Sequence, residues 1–385
     1  MQNWYQIDAA APLVFRSGKP FQAGSRDGAN FPWPSALAGV LRTRAMDARG
    51  WVPRLNDEQQ SQLRALPVAG PWLGRFDSDG SLEPWLPKPA DAVRLLDENG
   101  TPRYQRLHPR ALPADTGCDL RAGLLPLSFD GTVKGKPQPE PGWWPLGKLL
   151  DWMMGKAVTP EPADALTRPW QVETRTHVAI DRGTFASADG KLFQTQGLDF
   201  SPCSMHDDGR HDGWADERWV LLGRGPQDIG EGAVTFGGER RLSWLTMLAV
   251  DPIPQPDGWA ASLCNGFALS LVTPALFAEG WRPAWLNNDL EGELPGIPGL
   301  RLRLRAAAVE RWQGVSGWDL AAWKPRATRK AVAAGATYWF EVLAGGEPEL
   351  ARLWLASLCD DEQDRRDGFG ICLPRAWNPD INGEA

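Results

Sequence analysis

The sequence predicts an α+β chain of two tandem β-α-β-β-α-β halves, the first enlarged by a projecting β-hairpin and a large insertion. Three observations carry that expectation. Residues 171 to 181, Gln-Val-Glu-Thr-Arg-Thr-His-Val-Ala-Ile-Asp, alternate strictly. Leu300-Arg301-Leu302-Arg303-Leu304-Arg305 alternates again, with leucines on one side and arginines on the other. A period of two marks a strand with one dry face. From Phe267 onward the chain reads strand, short helix, strand, strand, helix, strand, which is the ferredoxin-like (RRM-like) pattern.

The elements follow in order. A strand opens the chain and is followed by a loop containing Gly24 and Gly28. Phe31-Pro32-Trp33-Pro34-Ser35 sets up a helix, with Ser35 placed to accept from the free N–H groups of its first turn. Leu37, Val40 and Leu41 form its buried stripe. Residues 51 to about 167 are rich in Pro, Gly and Trp, with a helix expected around Leu146 to Met154. They read as an insertion with small elements of its own, because a structureless loop of that length is improbable. The hairpin occupies about 168 to 200. Val172, Thr174, Thr176, Val178 and Ile180 are expected on its dry face, with Gln171, Glu173, Arg175 and His177 on the other. Asp189-Gly190 is expected to make its tight turn. Trp219 to Gly223 reads as a buried strand.

In the second half, Phe267 to Val272 reads as a strand and Pro274 to Glu279 as a short helix. Thr337 to Val342 is another strand. Pro348 suits a first helical turn, with Leu350, Leu353, Trp354 and Leu358 as the buried stripe. Gly368-Phe369-Gly370 turns into a last strand. A chain of 385 residues has room for about two domains. The expected division is 1–255, holding the insertion and the hairpin, and 256–385.

A net charge of −7 means that any nucleic-acid site must be a local basic patch. Residues 301 to 330 supply one. Arg301, Arg303, Arg305, Arg311, Lys324, Arg326, Arg329 and Lys330 stand against Glu310 and Asp319, a local charge of +6. Trp312, Trp318 and Trp323 are interleaved and could stack on unpaired bases. The same letters also suit a solvated basic face with buried tryptophans. The ratio of 21 Trp to 3 Tyr fits either a G/C-rich coding bias or a stacking platform for sugars or bases.

The five cysteines are scattered and include no C-x-x-C pair, which argues against a zinc ribbon and suits a reducing cytoplasm. No apolar run approaches membrane-spanning length, and no membrane partner is expected. No phosphate loop and no H-E-x-x-H occur. Gly314-Val315-Ser316-Gly317 has the wrong spacing for a nucleophile elbow. His206-Asp207-Asp208-Gly209-Arg210-His211-Asp212 offers metal-ligating side chains, yet a solvated Asp/Gly loop explains it equally. His177 could act as a general base beside Arg175, but no companion acid is evident. No catalytic residue, metal or cofactor is expected. Gly237-Gly238 and Gly368-Phe369-Gly370 could let backbone N–H groups approach phosphate.

Several segments together resemble a known family. They are Phe15 to Phe21; Phe31 to Thr43; Arg175 to Asp181; Leu192 to Phe200; Gly237-Gly238-Glu239-Arg240-Arg241; Ser316 to Asp319 with Lys324-Pro325-Arg326; and Asp367 to Gly370. In that order they resemble the third-subunit family of the Cmr complex, RAMP-superfamily proteins of type III-B CRISPR interference. The resemblance implies two ferredoxin-like domains with a thumb hairpin. It also implies a non-catalytic scaffold that binds the 5′ repeat-derived tag of the CRISPR RNA. Its partners would be the large polymerase-like subunit and the backbone RAMP subunits, with target RNA met only through the guide.

Arg16, Lys19, Ser35 and Arg42 are then candidate tag contacts, and Arg175 and His177 would wedge against RNA or a backbone subunit. The candidate RNA site also takes in Gly237, Gly238, Arg240 and Arg241, then Trp318, Lys324, Arg326, Arg329 and Lys330, and finally Gly368, Phe369 and Gly370. Leu373-Pro374-Arg375 departs from the glycine expected after that last loop. Two other readings remain: a RAMP-superfamily RNA-processing endonuclease, and a Trp-rich carbohydrate-binding protein.

Overall fold

A computed structural model describes residues 2–15, 26–97, 99–113, 115–129, 135–138, 142–160, 170–200, 218–319 and 324–379. The fold is α+β, with mostly antiparallel sheets and few helices. By contacts the chain divides into two units. One comprises 1–84, 168–252 and 314–329; the other comprises 85–167, 253–313 and 330–385. Most of the Pro- and Trp-rich region expected as an insertion in the N-terminal half therefore groups with the C-terminal half.

The first unit is built on a sheet whose central strands run, side by side, Leu242–Leu248, Gln2–Ala9, Arg218–Pro226 and Ala69–Phe76, each antiparallel to its neighbour. Counted along the chain, the order is fourth, first, third, second. The second of these strands lies inside the region read as an insertion. Gly232–Thr235 adds an edge strand beside Leu242–Leu248.

The helix Pro34–Ala48 packs on this sheet through Leu37 and Leu41, both fully buried. It comes close because the strand beneath it is notched. A Cβ at Gly223 would lie 2.6 Å from Leu37 Cδ2, and one at Gly225 would lie 2.7 Å from Leu41 Cδ1. Glycine inside a strand marks such an approach. The N-cap is Trp33 without a side-chain cap, so Ser35 is not the expected cap. Pro34 takes the first helical position and pushes Ser35 into the first turn.

The second unit repeats the order. Arg301–Ala308, Thr337–Ala344, Gly266–Leu271 and Cys372–Ala376 stand second, third, first, fourth, again antiparallel. Alternation at Leu300 to Arg305 is borne out: Leu302 and Leu304 are buried, and Arg301, Arg303 and Arg305 face outward. The expected helix at Pro274 to Glu279 is absent. Its N–H groups bond elsewhere: Ala275 to the Val332 carbonyl, Leu276 to Cys359 Sγ, and Ala278 to Asp360 Oδ2. The helix begun at Pro348 is shorter than expected. An α-turn Glu347–Leu350 passes into a 3₁₀ turn Ala351–Leu353, and Leu355, at φ +58°, ends it. Of the two helical crossovers in the expected pattern, each unit fills one: the first unit has helices Pro34–Ala48 and Asp57–Ala65 between its first two central strands, and the second has short turns including Glu362–Arg366 before its last strand.

Residues 85–167 are tied into the second unit by a buried charge. Asp91 is fully buried and accepts from Arg375 Nη2 at 2.6 Å, with Arg106 Nη1 at 3.6 Å. Trp152 Nε1 reaches its other oxygen at 3.4 Å, and the Arg106 guanidinium lies 3.7 Å from the Trp152 ring centroid. Among the described residues no helix is long and apolar enough to cross a membrane.

Candidate nucleic-acid interface

The hairpin pairs Gln171–Ile180 with Ser187–Asp199. Its faces are the reverse of the expectation. Glu173, Arg175, His177 and Ala179 are half-buried, whereas Thr174, Thr176, Val178 and Ile180 are exposed. The polar side is self-satisfied. Arg175 donates to Glu173 Oε1 at 2.9 Å, and this bond above all holds its guanidinium in the charged form. His177 stacks on its cross-strand partner Phe193, with centroids 5.0 Å apart, and its Nε2 lies 2.8 Å from Thr195 Oγ1. Cross-strand pairs of this kind stabilise a two-stranded ribbon locally. The β-branched side instead faces outward: Ile180 is 56% exposed, Leu192 56% and Phe185 83%.

The turn is also displaced. Asp181 makes it, accepting from the N–H groups of Thr184 at 3.0 Å and Gly183 at 2.8 Å, which lower its carboxyl pKa. Asp189-Gly190 forms an irregularity inside the returning strand. An Asx turn needs only Asp and a short polar loop. Asp181-Arg182-Gly183-Thr184 carried that signal as clearly as Asp189-Gly190.

The foot of the hairpin meets two other segments of the first unit. Leu13 bridges Leu198, and Arg26–Asp27 pair in parallel with Gln194–Thr195. The segment carrying Arg16 and Lys19 lies outside the described residues, between these two anchors. The loop Gly237–Arg241 sits on the other side of Leu13–Phe15. Gly237, at φ +80°, comes so close that a Cβ there would lie 2.9 Å from the Val14 carbonyl oxygen. Gly238 N–H donates to that same oxygen at 2.7 Å. The glycine pair therefore admits its own chain, and the Gly238 N–H expected for phosphate is occupied.

Two non-glycine residues follow in the left-handed region, Glu239 at φ +59° and Arg240 at φ +52°. Each costs roughly 1–2 kcal/mol for an L-residue. The Arg240 side chain is exposed, while Arg241 is half-buried and paired with Glu239. Left-handed non-glycine residues also shape turns elsewhere in the chain, at Leu290 and Leu355, so what distinguishes this loop is the exposed Arg240 guanidinium rather than the strain.

The other predicted residues divide sharply. Gly368, Phe369 and Gly370 are buried. Gly370 N–H donates to the Pro274 carbonyl at 2.7 Å, and Phe369 N–H donates to the Asp364 carbonyl at 3.0 Å. That loop is core, so its expected phosphate cradle is not formed. Arg42 donates twice to the Leu66 carbonyl, at 3.2 and 2.9 Å, and serves the local fold.

The arginine face of Arg301–Ala308 is largely neutralised. Arg301 and Arg303 pair with Glu291, and Arg303 and Arg305 pair with Glu341. The stretch 301 to 330 is divided between the units. Arg301 to Gln313 and Lys330 belong to the second, and Lys324, Arg326 and Arg329 to the first, where all three are exposed. There Lys324–Pro325 pairs with Trp318–Asp319, and Ser316 Oγ donates to the Arg326 carbonyl at 2.8 Å. Trp323 and the stretch His206 to Asp212 lie outside the described residues. Missed by sequence reasoning were Glu291 and Glu341. Glu341 was legible as an outward position on an alternating strand; Glu291 carried no local signal.

Comparison with known proteins supplies the remaining finding. The sequence model of the family described as CRISPR-associated protein (Cas_Cmr3) matches residues 5–377. No curated protein matches the chain. Solved structures that contain similar chains include two of one assembly. One is the cryo-EM structure of the type III-B Cmr-beta bound to cognate target RNA; its chain is 13% identical, with 96% of each chain covered and a TM-score of 0.47. The other is the same assembly bound to cognate target RNA and AMPPnP, state 1; its chain is 15% identical, with 87% of this chain and 86% of that one covered and a TM-score of 0.44.

Proposed function

The chain belongs to the Cas_Cmr3 family of CRISPR-associated proteins, and on that premise we propose that it is a non-catalytic, RNA-holding scaffold of a type III-B effector complex in the cytoplasm. The family match over residues 5–377 is the observation that carries this reading. Its ligand is the 5′ repeat-derived tag of the CRISPR RNA. Its protein partners are the large polymerase-like subunit and the backbone RAMP subunits, and target RNA is met through the guide. The two units, with their shared strand order, are ferredoxin-like domains in which one helical crossover has been replaced.

The RNA-facing set centres on the foot of the hairpin and Arg240 of the strained loop, joined by Arg16 and Lys19, which the resemblance implies as tag contacts and which lie outside the described residues. Lys324, Arg326 and Arg329 add phosphate contacts. The outward apolar face of the hairpin suits a protein neighbour better than a phosphate chain, since apolar area gains most by leaving water. Arg175 and His177 position the hairpin, because their polar groups already serve Glu173, Phe193 and Thr195. A general base engaged in that way supports holding rather than cleavage.

Copurification from a host expressing the neighbouring reading frames tests the proposal. A multisubunit particle carrying short RNAs with a uniform 5′ end is expected. Recovery of the chain alone from that host would overturn it. Metal-free incubation with repeat RNA should leave the RNA intact; cleavage lost on His177→Ala would establish an endonuclease instead.

A further inference from the structure

We propose that Trp312 is a stacking platform for one unpaired base of a single-stranded RNA, with Lys330 beside it for the adjoining phosphate. The inference rests on the RNA-holding reading and names a subsite within it.

Tryptophan is the most costly residue to leave in water, and the second unit buries Trp339, Tyr338, Phe340 and Phe267 completely. Trp312 is 56% exposed, just beyond the strand Arg301–Ala308, so the fold gains little from it. It is not an isolated apolar side chain. The Lys330 ammonium lies 5.3 Å from its ring centroid, drawn to the negative face of the indole. Arg311 and Lys330 are both exposed, as is Glu310. Aromatic surface open to solvent and flanked by cations is the chemistry that binds unpaired nucleotides. The ring stacks on a base of any identity while the cations neutralise the backbone. A duplex cannot use it, because its bases are already stacked and present only edges. A protein partner would need apolar neighbours around the indole. Among the described residues, its chain neighbours Glu310, Arg311 and Gln313 are exposed and polar, and Lys330 lies against the ring.

The test is fluorescence anisotropy of a short labelled oligouridylate and of a duplex RNA of equal length, titrated with the full-length chain at several salt concentrations. Trp312→Ala should weaken single-strand binding roughly 5- to 150-fold, the range for loss of one stacked base. Its dependence on salt and its melting midpoint should stay unchanged. Trp312→Phe should recover most of the loss. Lys330→Gln should instead flatten the logarithmic salt dependence by about 0.7. Wild-type affinity in Trp312→Ala would overturn the platform while leaving the RNA-holding reading intact. Equal losses on duplex, or competition by soluble oligosaccharide at Trp312, would also overturn it. Failure of the unaltered chain to bind either RNA would remove both the reading and this inference.

Discussion

Asp91 shows how much of this fold turns on single charges. The carboxylate is fully buried and its main partner, Arg375, has a side chain only 6% exposed. Breaking a buried pair from one side leaves the other charge uncompensated, at a cost of about 3–5 kcal/mol. Asp91→Asn should lower stability by that amount in a denaturant melt, and adding Arg375→Met should return part of it. A loss below about 1 kcal/mol would mean that water reaches the pair. Arg240 offers the opposite case. Glycine pays no steric penalty in the left-handed region. Arg240→Gly should therefore leave the melting midpoint unchanged or raised while weakening RNA binding; a lowered midpoint would assign Arg240 to the fold instead. Neither residue could be weighed from sequence. Asp91 and Arg375 stand far apart along the chain, and no local pattern links them. The glycines misled for a related reason. Gly238 and Gly370 allow close approach, as expected, but the group that approaches is the protein's own carbonyl. Composition announces room for a neighbour and is silent on which neighbour.

At the scale of the element, the hairpin was legible as two strands and illegible in its orientation. Period two shows that two faces differ, but not which one meets water. That choice depends on partners: Glu173 closes Arg175, Phe193 closes His177, and among the described residues the side chains of Ile180, Phe185 and Leu192 remain exposed. Arg301 to Arg305 teaches the same lesson with charge. The alternation was right, and the inferred cationic face was offset by Glu291 and Glu341, which arrive from other strands. These pairs are half-buried at the surface, where ion pairs are worth little, about 0–1 kcal/mol when exposed, so a phosphate can compete for them, but they do not amount to an open cradle. The hairpin yields a direct expectation. Ile180→Ser with Phe185→Ser should change the stability of the isolated chain by no more than about 0.5 kcal/mol, as for ordinary surface positions. The same variant should lose backbone subunits on copurification. Full retention of those subunits would show that another surface makes the contact.

For the whole molecule, the decisive fact is that each unit is assembled from three separated stretches of chain. The four central strands of the second unit each had a local signature, whereas in the first unit Ala69–Phe76 stood in the region read as an insertion. The partition was not legible, because it depends on pairings such as Asp91 with Arg375. A fragment spanning 256–385 therefore lacks residues 85–167 and the buried carboxylate they supply. It should be protease-sensitive and show no cooperative melt. A fragment that melts sharply would show that those residues are dispensable. The interleaving bears on synthesis too. When residue 313 leaves the ribosome, the central strands of the first unit, the last ending at Leu248, are already made, whereas the second unit still waits for the strands Thr337–Ala344 and Cys372–Ala376. The second unit therefore cannot close early in translation, as a separate domain ordinarily does. The nascent polypeptide thus carries the open edge of the second sheet until Ala376 has emerged, which makes chaperone supply and cotranslational access to its partners the points at which its yield is decided.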